Sequence, residues 1–200
     1  MTAVASHRHR PGEGAIVDVR VQQSVGVNGL TAVSVGIDLA SAPVPDRRYV
    51  ADRASVLVRD GVTNLLFGQE RISGNELRSL LVVKMTPVGV QHFMDAIGAM
   101  PKPTVKELMA AVGAPSEALR SIDNEPDQTV AFAANLVASS FAGFEACFDF
   151  YQASAFSMAH VSATQKLAVD PVVRVEMRIG LADALLDELQ RTRTGGLLSH

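Results

Sequence analysis

Few side chains in this chain have the types and spacing that catalysis needs. Cys147 is the one cysteine, and a Cys–His nucleophile would pair it with His92 or His160 as the activating base. In the alternating run around it, Cys147 shares a strand face with Glu145 and Asp149, while Phe144, Ala146 and Phe148 take the other. Neighbouring carboxylates disfavour a thiolate, so the expected role of Cys147 is structural. Glu145 and Asp149 are about 14 Å apart by strand rise, too far to act together on one bond, and read as solvent-face or interface charges. His7-x-His9 offers two metal ligands on a tail beside Arg8 and Arg10, fewer than a zinc site uses. His92 reads as a packed or surface histidine, His160 has no carboxylate or cysteine at ligand spacing, and His200 is terminal. Gly12-Glu13-Gly14 lacks the rest of a dinucleotide or phosphate-loop pattern. The expectation is no catalytic residue, no cofactor and no metal.

The bulk composition fits a folded protein with a real core. The chain has 200 residues, 48% hydrophobic and 20% charged, with no Trp and 5% aromatics, so Val, Leu, Ala and Met must build the interior. A net charge of −3 and a pI near 5.9 leave no electrostatic footprint for nucleic acid. Basic residues gather only at Arg8/Arg10, Arg47/Arg48 and Arg191/Arg193, read as solvated positions. The aromatics are too few and scattered for a single-stranded nucleic-acid platform. A single cysteine excludes an internal disulfide framework. The first residues show no apolar segment of a secretory signal. The most apolar window, Val130 to Phe150, is broken by Asn135, Glu145 and Asp149, so no membrane span is expected. The cytoplasm is the expected compartment.

The elements follow from periodicity. Residues 1–14 read as a disordered tail. Val17, Val19 and Val21 alternate with polar residues, as do Val33, Val35, Ile37 and Leu39, and Asn28-Gly29 between them predicts an N-terminal β-hairpin over 15–45. A first unit spans 46–100. Its Asp60-Gly61 predicts a tight turn between two strands, Glu70 to Glu76 reads as a loop, and Leu81, Val83 and Met85 alternate. Thr86-Pro87 then opens a helix carrying Val90, Phe93, Met94 and Ile97 on one face. Residues 101–128 read as a helical linker, where Thr104 and Glu107 make a capping box. A second unit spans 129–191, with a long loop expected at 153–171. There Val173, Val175, Met177 and Ile179 alternate, and Leu181, Leu185, Leu186 and Leu189 form a helical stripe. Residues 192–200 read as a flexible tail.

The two units echo one another. Tyr49–Gln69 is answered by Phe132–Gln152, and Leu81–Ile97 by Val173–Leu189. Identities are sparse, among them Ala51/Ala134, Phe67/Phe150, Gln69/Gln152, Val83/Val175 and Met85/Met177. Element order and apolar phase agree throughout, which points to an internal duplication.

Phe132, Asn135, Glu145, Asp149, Phe150, Arg174 and Leu185 carry a further signal. This pattern of an aromatic-x-Ala-Asn start, an acidic-x-x-x-Asp-Phe strand end, an Arg-bearing strand and a leucine-rich helix resembles a family of small uncharacterised bacterial proteins. The first unit departs from it, with Asp52 opposite Asn135 and Gly68 opposite Tyr151. That resemblance supplies no catalytic residues. The order of antiparallel strands followed by a helix also looks like the export chaperone SecB, whose likeness implies apolar grooves for other chains and oligomeric assembly. Fold likeness does not fix function.

The expected fold is α+β, an antiparallel sheet with helices on one face, in two pseudo-symmetric strand-strand-strand-helix halves. The expected function is a non-enzymatic protein-binding module, a chaperone-like holder or an adaptor, with a protein partner or itself as a homo-oligomer. Expected partner-binding residues are Phe93, Met94 and Ile97 on the first helix and Phe156 and Met158 in the long loop. Met85, Met94, Met100 and Met109 would need covering. The alternatives are a small hydrolase or transferase using loops 70–79 and 153–171, and a structural subunit of a bacterial or phage assembly.

Overall fold

A computed structural model describes residues 14–25, 31–70, 77–100 and 128–195. The Asn28-Gly29 turn, the 101–128 linker up to residue 127, most of the 70–79 loop, Met109, His7, His9 and His200 lie outside the described residues.

Alternation sets the strands. β1 (Ala15–Val25) and β2 (Thr31–Ile37) pair antiparallel, as the hairpin reading requires. β2 stops two residues before Leu39, which opens a short 3₁₀ turn whose Ala40 N–H donates to Asp38 Oδ1. β3 (Arg48–Val50) leads into β4 (Arg53–Arg59), which turns back as β5 (Val62–Glu70). Asp60 and Gly61 take φ of 53° and 73°, the left-handed pair that a two-residue hairpin turn demands. β6 (Leu77–Met85) follows, and then α1 (Pro87–Gly98), with Thr86 Oγ1 accepting from Gly89 N. The later part begins with β7 (Gln128–Ala134), β8 (Leu136–Ala142) and β9 (Glu145–Ala153). The segment expected as a loop over 153–171 is instead α2 (Ala155–Thr164) and the first part of β10 (Lys166–Arg178). α2 lacks an apolar stripe, and Pro171 falls at a bulge inside β10, so neither element has a clean period. α3 (Ile179–Gly195) follows β10 directly.

Most pairings are antiparallel: β4–β5–β6 in one sheet, and β2–β1–β10–β9–β8 in the other. Two parallel pairs break this pattern. β3 runs beside β10, with Tyr49 opposite Val175, and β7 runs beside β6, with Phe132 opposite Val83. Each short leading strand therefore enters the sheet built by the other part of the chain. Followed through the bends at Ala51-Asp52 and Asn135, the pairings form a circuit of β3–β4, β5, β6, β7–β8, β9 and β10. The sheet is accordingly curled.

The inward positions of that sheet make the main core. Leu65, Phe67, Leu81, Val83 and Met85 meet Phe148, Phe150, Val173, Val175 and Met177, with the apolar faces of α1 and α3 between them. α1 packs on β8 and α3 on β4, so each helix also covers a strand of the other part. Phe93 stands edge-on to Phe148 at 5.1 Å between centroids and lies 5.5 Å from Phe150. A second cluster joins Val17, Val19, Leu39, Leu136, Tyr151, Leu167 and Val169, with Met158 and Val161 of α2 against it. The fold is α+β, but its helices do not all share one face, because α2 belongs to this second cluster.

Candidate functional site: a cleft at one bend of the sheet

The β3–β4 bend opens a cleft of about 470 Å³. Val50, Ala51 and Asp52 come from the bend, Glu70 from the end of β5, Glu145 from the start of β9, Glu176 to Arg178 from the end of β10, and Leu181 from α3. The bend is fixed by backbone bonds: Ala51 N donates to Glu176 O (2.8 Å) and Asp52 N to Gly68 O (2.9 Å). Asp52 Oδ2 accepts from Glu70 N at 3.2 Å, and Arg53 pairs with the Glu70 carboxylate beside it. Four carboxylates and one guanidinium, Arg178, therefore border an apolar lining of Val50, Ala51, Met177 and Leu181. Val50 presents half of its surface to solvent (53%), and Phe144, next to Glu145, is also exposed.

The β7–β8 bend is built from matching backbone bonds but is closed. Asn135 N donates to Tyr151 O at 3.0 Å, and the Asn135 side chain bonds both polar groups of Ala153, accepting from its N and donating to its O at 2.8 Å each. Asn135 Nδ2 also lies 3.6 Å from Met158 Sδ. Gly89 of α1 sits directly on this bend. A Cβ there would lie 2.9 Å from Asn135 Cα, so only glycine allows the approach.

The expected partner-binding residues are not brought together. Phe93 and Ile97 have no exposed surface and Met94 is buried, so the apolar face of α1 is core and is not offered to a partner. Met85 and Met100 are buried with them and need no covering. Met158 is partly buried against the second cluster. Phe156 alone is open, 75% exposed on α2, its ring stacked on His160 at 4.3 Å. His160 Nδ1 lies 2.8 Å from Phe156 O, which ties it to its own helix, and His92 Nδ1 is buried without a hydrogen-bond partner.

Asp149 is not a solvent-face charge: it holds Arg174 through two bonds of 2.6 Å, both side chains being mostly buried. This pair raises the Arg174 pKa further. Burial first, and the Asp149 charge second, push the Cys147 thiol up, the opposite of what a nucleophile needs. Among the described residues no group of three or more His, Cys, Asp or Glu could hold a metal ion, and no helix is long and apolar enough to cross a membrane.

No single local motif marks the cleft. Its carboxylates lie at 52, 70, 145 and 176, and only the strand pairing unites them. Compared with protein-family models, with curated proteins and with solved structures, the chain has no match.

Proposed function

We propose that the chain is two fused copies of one strand-strand-strand-strand-helix unit and that it acts as a non-enzymatic protein-binding module through the cleft at the β3–β4 bend. The duplication reading is supported by ladder registers. Tyr49 opposite Val175 becomes Phe132 opposite Val83 when the echoed positions are exchanged. Leu65 opposite Val83 becomes Phe148 opposite Val175, and Ala54 opposite Phe67 becomes Val137 opposite Phe150. The bonds at the two bends exchange the same way, Asp52 with Glu70 for Asn135 with Ala153. Chance resemblance of two amphipathic patterns gives no reason for such agreement.

One observation carries the binding reading: the two equivalent bends differ. Where Gly89 closes on Asn135, its counterpart Leu181 lines an open cleft together with Asp52. Where one bend has Glu70, Glu145 and Glu176, the other has Ala153, Val62 and Lys84. Apolar surface rimmed mostly by carboxylates, four against the single guanidinium of Arg178, suits an extended, basic segment of a partner protein.

The test is a tagged capture from native lysate, read by mass spectrometry, comparing the parent chain with Val50→Lys and Glu176→Lys. A stoichiometric protein lost from both variants and retained by Phe156→Ser supports the cleft. A protein retained by the cleft variants, or recovery of the chain alone or of a second copy of it, overturns this reading.

A further inference from the structure

We infer that the contact between the two halves is a self-sufficient association surface, and that the partner each half fits is a half of the same build. This rests on the observed pairings and, for the likeness of the two halves, on the proposed duplication, but not on the proposed docking cleft. Without β7, the outer edge of β6 is unpaired from Ser79 to Met85. Without β3 and β1, β10 loses its neighbours at Arg174–Glu176 and at Lys166–Val169. An open edge of this kind is a template for another strand. Neither half owns a core. The main cluster interleaves Leu65, Phe67 and Phe93 of the first half with Phe148, Phe150 and Val175 of the second. Phe67 and Phe93 both set their rings at a tilt against Phe150, and α1 and α3 each cover a strand of the opposite half. Exposing these faces costs each half its buried apolar surface. The 27 residues from 101 to 127 then need supply only proximity.

The experiment is a cut in the intact, folded protein. A specific protease site is inserted after Gly113 and, in a second variant, after Asn124, so that one poor insertion does not decide the result. The native protein is cleaved, and size-exclusion chromatography with mass spectrometry is run at several concentrations alongside thermal melts. The expected result is one particle holding both fragments in equal amount at the elution volume of the uncut chain. Its single melting transition should fall with each tenfold dilution, while that of the uncut protein does not. Cut preparations carrying different tags should exchange halves when mixed. Separation of the fragments at micromolar concentration, or two independent transitions, overturns the inference. These results do not depend on whether any partner enters the cleft.

Discussion

Replacing Asn135 by alanine tests how the bends of this sheet are held. Asn135 is the only buried polar side chain among the described residues, and its amide completes a pair of hydrogen bonds that no backbone neighbour supplies. Ala153, wholly buried, loses both of its bonds to that side chain in Asn135→Ala. Its carbonyl keeps Gln152 Nε2 at 3.2 Å, but its N–H is left without an acceptor. One lost bond plus one stranded buried donor costs about 2–3 kcal/mol. Urea unfolding followed by circular dichroism should show that loss with an unchanged dependence on denaturant. Asn135→Asp copies the Asp52 bend, keeping the acceptor and losing the donor. Burial raises the folded pKa of this carboxyl above its unfolded value, so the variant is most stable at low pH and loses stability as pH rises above about 4. A loss under about 0.5 kcal/mol for Asn135→Ala, or an Asn135→Asp protein equally stable at pH 4 and pH 8, would refute the reasoning.

Gly89→Ala should destabilise by about 1–3 kcal/mol through its clash with the Asn135 backbone, although alanine favours a helix. Gly98→Ala meets nothing within 4 Å and should stabilise by up to about 1 kcal/mol, and denaturant melts of the pair separate clash from propensity. Both tyrosines should resist ionisation: burial, then the Asp149 charge, pushes Tyr151 up to about 12, and burial raises Tyr49. The folded-state pKa lies above the unfolded value near 10, so this stability is present below pH 10 and lost towards pH 12. Tyrosinate absorbance should stay low at pH 10.5 and rise together with loss of the fold. Asp149→Ala should cost about 3 kcal/mol by stranding Arg174, and more than the double variant Asp149→Leu/Arg174→Met, read as a difference in unfolding midpoint.

Local signals carried much of this architecture. Asp60-Gly61 announces its turn, Thr86-Pro87 its helix start, and the alternation at Leu81–Met85 and Val173–Met177 the strand faces. Four features were not legible, each for a physical reason. α2 has no fully buried residue, so it leaves no apolar stripe, and its only clear sign is Ser154 capping Ser157 N at 3.1 Å. The aromatic starts at Tyr49 and Phe132 belong to strands whose partners are more than forty residues away, and nothing local marks such a pairing. The stripe of Phe93, Met94 and Ile97 looks the same whether it faces a partner or a core, and here it faces the core. The cleft was the least visible of all, because its carboxylates are scattered along the chain and meet only once the strands have paired.

The most direct test places a photo-crosslinking residue at Val50 and, separately, at its counterpart Ala133, both exposed, one at each bend. Each chain is irradiated in native lysate, and the adducts are identified by mass spectrometry. The account predicts one dominant protein adduct from position 50, through an extended basic stretch of the partner, and none from position 133. Equal adducts from both positions, or none from position 50, would contradict it.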